Sequence, residues 1–112
     1  LNLNNLRDHP SDARAGKRTL VVQMGFERAK LYHLAVLGVG WSALAIFFKS
    51  TQADGLWSGT MWYALLALLH ARHAVDVWRC TDPSTLDPEL KRIALSTFLV
   101  ALFMFMDQTL DA

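Results

Sequence analysis

Residues 31–48 read LYHLAVLGVGWSALAIFF, and these 18 residues carry no formal charge. Two further uncharged runs of 14 residues each follow, over 56–69 and 93–106. A transmembrane helix needs about 20 mostly apolar residues, with roughly 17 as the lower limit. The first run meets this length directly, and the other two meet it if their helices extend into flanking polar residues. The sequence therefore predicts an all-α fold, a bundle of three transmembrane helices.

The positive charges are distributed unevenly around these runs. Eleven residues are Lys or Arg, and ten of them fall within three segments, which are 7–30, 72–79 and 91–92. If the three helices cross a membrane in alternation, these segments all lie on one side, as expected of the cytoplasmic side. We therefore expect an integral membrane protein with a cytoplasmic loop over 1–28 and an acidic end, 107–111, on the other side.

Turn and capping signals set the expected bounds of the helices. We expect transmembrane helices over about 29–48, 56–79 and 88–108, which together form the region 29–112. Before the last of these, Asp87 has the side chain of an N-cap and Pro88 suits the first helical position.

The loop 1–28 contains the string NNLRDHPSDARAGKRTL, and its two carboxylates, Asp8 and Asp12, are four positions apart. Proline lacks an N–H and is tolerated in the first turn of a helix, so we expect a helix that starts near Pro10. In that arrangement Asp8 ends one segment, Asp12 begins the next, and the two carboxylates converge across a turn. Gly16 is then expected to end the helix.

Carboxylate pairs of this kind suit Mg²⁺, which takes one or two carboxylates together with phosphate oxygens of a substrate. Neighbouring cations are available to neutralise a diphosphate, namely Arg7, Arg14, Lys17 and Arg18. Asn4 and Asn5 add neutral oxygen ligands or donors. The alternative is an ordinary solvated segment whose charges form pairs four positions apart.

The whole string resembles the second aspartate-rich motif of the UbiA superfamily of intramembrane prenyltransferases. It is most similar to the branch that acts on 1,4-dihydroxy-2-naphthoate, with the pattern N-N-x-R-D-x-x-x-D-x-x-x-G-K-x-T-L-x-V-x-x-G. The residues in register are Asn4, Asn5, Arg7, Asp8, Asp12, Gly16, Lys17, Thr19, Leu20, Val22 and Gly25. The resemblance is specific over about 30 residues and compositional elsewhere.

The resemblance implies a fold of nine transmembrane helices, of which this chain would be the C-terminal third. It further implies that the remaining helices of the parent protein are partners of this chain. The first aspartate-rich motif of the family, of the type N-D-x-x-D, does not occur in these 112 residues. We therefore expect the full-length protein to be the enzyme and this fragment alone to be inactive.

The resemblance also implies a function, which is transfer of a polyprenyl group from a prenyl diphosphate to 1,4-dihydroxy-2-naphthoate with Mg²⁺, in quinone biosynthesis. The expected location is a bacterial inner membrane or a plastid-type membrane, with the active-site loop on the cytoplasmic side. The implied site residues are Asp8 and Asp12 for Mg²⁺, Arg7, Lys17 and Arg18 for the diphosphate, and Asn4 and Asn5 in support.

Two alternatives stay open. One is a related enzyme with another aromatic acceptor, such as hydroxybenzoate or homogentisate. The other is a non-catalytic helical module that binds acidic headgroups or a partner. A net charge of +1 gives no indication of nucleic acid as a partner.

Several polar residues near the ends of the helices have more than one interpretation. His70 and His73 share a helical face, and Arg72 is placed to pair with Asp76. A transition-metal site, an ion-paired cluster and the lining of a cytoplasmic pocket are all compatible with this spacing. We expect Lys30, like Arg28, to anchor its helix at the membrane interface.

Overall fold

The structure is a computed structural model of the chain, and it describes residues 1–50 and 57–110. Within these ranges the elements are α1 (Asn2–Arg14), α2 (Leu20–Met24), α3 (Phe26–Ser50), α4 (Trp57–Arg79), a short 3₁₀ turn (Pro83–Leu86) and α5 (Asp87–Leu110). No strand occurs among the described residues, so the predicted all-α class is confirmed. Much of the predicted acidic end, including the side chains at 107 and 108, lies outside the described residues.

The first helix differs from the prediction, because α1 continues through Pro10 instead of starting there. A proline inside a helix removes one backbone hydrogen bond and costs about 3 kcal/mol or more. Leu3 and Leu6 of α1 are buried in the core, and burying a leucine side chain contributes about 1.5–3 kcal/mol. Two such leucines offset the cost of Pro10, so the prediction that Asp8 and Asp12 converge across a turn is wrong.

Gly16 follows the C-cap of α1 with φ of +70°, a conformation that residues with a Cβ adopt at a cost. The backbone N–H of Gly16 donates to the carbonyl of Ala13, and that of Lys17 donates to the carbonyl of Asp12. These two bonds form a Schellman motif, which satisfies carbonyls that the helix leaves free. The expected role of Gly16 at the end of the helix is thereby confirmed.

The three long helices give the molecule an elongated shape of 52 × 22 × 21 Å. Of the described helices, α3 alone is both long enough and apolar enough to cross a membrane, and only 6% of its most apolar window is buried. In α4 and α5 the polar residues, such as His70 and Arg92, lower the mean hydropathy. That all three helices span a membrane stays a prediction.

The hydrophobic core lies at one end of the long helices, where α1 and α2 pack against the start of α3, the end of α4 and the start of α5. Its buried members are Leu3, Leu6, Val21, Ala29, Val77, Cys80 and Leu86. This core holds α1 in place through Leu3 and Leu6.

Two local predictions near this core are wrong. Asp87 already has helical φ and ψ of −58° and −44°, so it is part of a helix and no N-cap. Lys30 is 4% exposed and no interfacial anchor. The Nζ of Lys30 donates to the carbonyls of Cys80 at 2.9 Å and Trp78 at 3.3 Å. These carbonyls end α4 and lack intrahelical partners, so a buried cation is stabilised there.

Candidate functional site

The first half of the motif lies on α1, and the helical period places three of its residues in a row. Asn4, Asp8 and Asp12 are spaced by four positions within α1, so their side chains share one face. Asn4 is exposed, and Asn5, one position further along, is half-buried. The structure thus brings the two predicted metal ligands together along one helix.

Asp8 forms a two-pronged ion pair with its neighbour. The Nε of Arg7 lies 2.8 Å from Oδ1 of Asp8, and its Nη2 donates to Oδ2 at 3.1 Å. This guanidinium holds the pKa of the Asp8 carboxyl below its usual range. The hydrogen bonds from Arg7 to Asp8 and Asp87 raise the pKa of Arg7 in turn. Both side chains therefore stay charged in the folded state.

Asp12 forms the second ion pair of the motif, with Lys17. The Nζ of Lys17 lies 2.8 Å from Oδ1 of Asp12, whose side chain is 8% exposed, whereas that of Lys17 is 64% exposed. The hydrogen bond to Asp12 raises the pKa of Lys17. The positive charge of Lys17 also lowers the pKa of Asp8. Lys17 thus acts electrostatically on both carboxylates of the row.

Arg18 remains exposed beside these pairs, and within the described part of the chain it forms no ion pair. Its backbone carbonyl accepts a hydrogen bond from Nε2 of Gln23 at 2.9 Å. The guanidinium is therefore accessible to an anion from solution. Arg14, the last residue of α1, is exposed as well.

The donor set of this face fits a metal that is completed by a ligand from solution. Asp8 and Asp12 supply two carboxylate groups. Such a pair suits Mg²⁺ when phosphate oxygens of a substrate provide further ligands. Among residues 1–50 and 57–110, no group of three or more His, Cys, Asp or Glu residues is placed to hold a metal ion.

A second polar cluster joins the three long helices α3, α4 and α5. His73 of α4 contacts Glu89 of α5 through Nδ1 and Oε2 at 2.7 Å. The Nε2 of His73 also lies 2.9 Å from Nε2 of His33 on α3. All three side chains are buried.

The outer side of this cluster is charged and exposed. Arg92 contacts Glu89 through Nη1 and Oε1, and its Nη1 also donates to Asp76 at 3.3 Å. Arg72 lies 3.7 Å from Asp76. The predicted pairing of Arg72 with Asp76 is confirmed, and the cluster connects solvent-exposed cations with buried imidazoles.

His70 borders a groove of about 460 Å³ between the long helices. Its Nδ1 lies 2.8 Å from the carbonyl of Leu66, and its Nε2 lies 3.4 Å from Oγ of Ser96. The groove is otherwise lined mainly by apolar side chains, among them Trp41, Leu44 and Met104. His70 and His73 therefore have separate partners and form no common metal site in the described residues.

Sequence reasoning missed Glu89 and Asp87 as members of these clusters, and it did not pair His33 with His73. The spacing of Glu89 and Arg92, at i and i+3, signals their contact. No local signal pairs Glu89 with His73 or Arg7 with Asp87, because these contacts join residues 16 and 80 positions apart.

Comparison with known proteins gives two similar relatives, both named 1,4-dihydroxy-2-naphthoate octaprenyltransferase. The chain is 35% identical to the protein of Haemophilus influenzae over 100 residues, which make up 89% of this chain and 32% of that protein. It is 38% identical to the protein of Escherichia coli over 113 aligned residues, 96% of this chain and 35% of that protein. No family model and no solved structure matches the chain.

The chain thus spans about one third of the length of the curated relatives it matches. The similarity extends over nearly all of this chain. These matches confirm the family that the motif indicated, and the chain is similar to about one third of a 1,4-dihydroxy-2-naphthoate octaprenyltransferase.

Proposed function

We propose that the full-length protein is an integral membrane prenyltransferase that transfers a polyprenyl group from a prenyl diphosphate to 1,4-dihydroxy-2-naphthoate, in quinone biosynthesis. The observation that carries this proposal is the identity of 35–38% to two proteins of that name over 89–96% of the chain. The charged face of α1 supports it, because a diphosphate needs both cations and metal ligands.

In this proposal Asp8 and Asp12 hold Mg²⁺ together with the diphosphate. Arg7, Lys17 and Arg18 bind the diphosphate directly, and Asn4 and Asn5 support them from the start of α1. When bound, Mg²⁺ supplies positive charge to the phosphate oxygens of the leaving group.

The chemistry of prenyl transfer needs a face of this composition. When the allylic carbon–oxygen bond breaks, negative charge develops on the diphosphate and positive charge on the prenyl carbon. Cations fixed in advance stabilise the leaving group without having to reorganise. The ion pairs of Arg7 with Asp8 and of Lys17 with Asp12, each at 2.8 Å, keep two such cations at the face.

The long helices suit the apolar tail of the prenyl diphosphate. The most apolar part of α3 is largely exposed in this chain, as are Leu68 of α4 and Phe105 of α5. Such surfaces suit lipid and the prenyl tail, and they exclude water from a carbocation-like carbon. We propose that α1 lies at the cytoplasmic surface, in keeping with the positive charges near it.

An acceptor panel tests the proposed function. Membranes carrying the full-length protein are supplied with octaprenyl diphosphate, Mg²⁺ and either 1,4-dihydroxy-2-naphthoate, hydroxybenzoate or homogentisate. We expect a lipophilic quinol product from dihydroxynaphthoate and its loss when EDTA removes the metal. If product forms from hydroxybenzoate or homogentisate alone, that compound replaces dihydroxynaphthoate as the proposed acceptor. If no product forms from any of the three, the proposed prenyltransferase activity is contradicted.

A further inference from the structure

Three buried side chains, one from each long helix, form a continuous hydrogen-bonded chain. Glu89 of α5 contacts Nδ1 of His73 at 2.7 Å, and Nε2 of His73 contacts Nε2 of His33 at 2.9 Å. The exposed fractions are 6% for Glu89, 2% for His73 and 7% for His33. Ionisable groups at such depth in apolar helices are costly and tend to have a function.

The carboxylate at one end determines where the protons lie. A carboxylate only accepts hydrogen bonds, so Nδ1 of His73 is the donor to Glu89. A neutral His73 then has a bare Nε2, which accepts from an Nε2–H of His33. In a neutral His33 this leaves Nδ1 without a proton. The pairing thus selects one tautomer for each ring.

The bare Nδ1 of His33 is the last atom of this chain of hydrogen bonds. Within the described residues it has no hydrogen-bond partner. None of the fully enclosed side-chain nitrogen or oxygen atoms there lacks a partner, so this atom is not completely enclosed. The chain of hydrogen bonds therefore ends in an acceptor that has no partner of its own.

His33 lies close to the start of α1. The Nδ2 of Asn2 in α1 donates to the carbonyl of Ala29 at 3.5 Å. His33 follows Ala29 by four positions on α3, which is about one helical turn deeper along the same face. The start of α1 thus packs over the turn of α3 that precedes His33.

We propose that His33, His73 and Glu89 form a proton relay for a hydroxyl group of the aromatic acceptor, an inference that rests on the proposed function. The O–H bond of the acceptor breaks as an N–H bond forms at Nδ1 of His33. The proton on Nε2 of His33 then passes to Nε2 of His73. The resulting imidazolium of His73 lies beside the Glu89 carboxylate, and the acceptor ring becomes more electron-rich for attack on the prenyl carbon.

In this relay His33 is the group that contacts the acceptor, whereas His73 and Glu89 are positioning residues. A purely structural tie between α4 and α5 needs His33 only as the donor to Nε2 of His73. The third group, His33, adds an open proton acceptor, which a structural tie does not require. That arrangement resembles the way a carboxylate orients an imidazole base in other enzymes.

Turnover measurements on the full-length protein in membranes test the relay. We expect His33→Ala to lower kcat about 100-fold or more, with recovery of activity when free imidazole is added. Glu89→Gln keeps an acceptor for His73 but loses the charge, and we expect a drop of about tenfold or more. The control Asp76→Asn removes another carboxylate bound to Arg92, and we expect kcat within about twofold of wild type.

These outcomes separate the relay from the proposed function. Wild-type prenyl transfer together with near-normal turnover of His33→Ala would overturn the relay and leave the function standing. A wild-type protein without prenyl transfer would overturn the function and, with it, the role of the relay. A fall in turnover for His33→Ala without imidazole rescue, accompanied by an equal fall for Asp76→Asn, would show a structural role and overturn the relay.

A second measurement needs no variant that risks misfolding. Nitrogen-15 NMR of histidine-labelled full-length protein distinguishes ring nitrogens that carry hydrogen from those that do not. We expect His73 as the Nδ1–H tautomer and His33 as the Nε2–H tautomer before substrate is added. The opposite tautomer at either ring would overturn the relay, whatever the enzyme transfers.

Discussion

Arg7 in the first helix donates to Asp87 at the start of the last helix, with Nη1 of Arg7 2.7 Å from Oδ1 of Asp87, across 80 positions of sequence. The same guanidinium binds Asp8 through its other edge. Arg7, which we propose to bind the diphosphate, is thus held in place from two sides. The start of α5 therefore contributes to the charged face even though it lies far from the motif in the sequence.

The first prediction concerns this tie. Asp87→Asn removes a charged partner of Arg7 while Asp8 continues to hold it, and the Asp87 side chain is 64% exposed. Exposed pairs contribute little, so we expect the KM for prenyl diphosphate to rise by about fivefold at most, with kcat unchanged. Steady-state kinetics of the full-length enzyme measure this. Asp82→Asn, at the N-cap of the nearby 3₁₀ turn, is the matched control. A large kcat effect for Asp87→Asn would contradict the account.

The second prediction concerns acid. Arg7 lowers the pKa of Asp8 in the folded state, from the ordinary value of 3.8. The stabilisation is therefore fully present above the ordinary pKa and is lost as the pH falls through the lowered value. We expect the wild type to lose more stability than Arg7→Gln on acidification below about pH 4. Thermal unfolding of the full-length protein at a series of pH values measures the difference. Equal losses would mean that Arg7 and Asp8 are not coupled.

The third prediction concerns the buried cation of α3. Lys30→Met keeps the apolar stem but leaves the carbonyls of Cys80 and Trp78 without their donor. We expect the free energy of unfolding to fall by about 1–3 kcal/mol. Arg28→Met, at an exposed position two residues earlier, is the control and should have little effect. Equal stability of the two variants, measured by chemical denaturation in detergent, would remove Lys30 from the contacts that hold α3 to α4.

The sequence was sufficient to predict the long helices and to name candidate residues for the site, because both depend on local patterns. Uncharged runs and turn residues predict helices close to the observed α3, α4 and α5, and the motif names Asp8 and Asp12 directly. The path of α1 through Pro10 was not predictable in this way. Whether a helix tolerates a proline depends on the burial of Leu3 and Leu6, which is a tertiary property.

The contacts between the helices were also beyond local patterns. His33 and His73 are 40 positions apart, and their pairing depends on how α3 packs against α4. Lys30 gives the same lesson, because a lysine near the end of an apolar run is ordinarily an interfacial residue. Only the packing of α3 against the end of α4 shows that the carbonyls of Trp78 and Cys80 lie within reach of Lys30.

The most direct test of the account is prenyl transfer by the full-length protein with Asp8→Asn and Asp12→Asn. Both variants keep the shape of the side chain and remove the charge that Mg²⁺ and the neighbouring cations require. We expect each to lower kcat at least about 100-fold, with little loss of folded protein by size-exclusion chromatography in detergent. Wild-type turnover in both variants would contradict the assignment of the α1 face as the site of diphosphate binding.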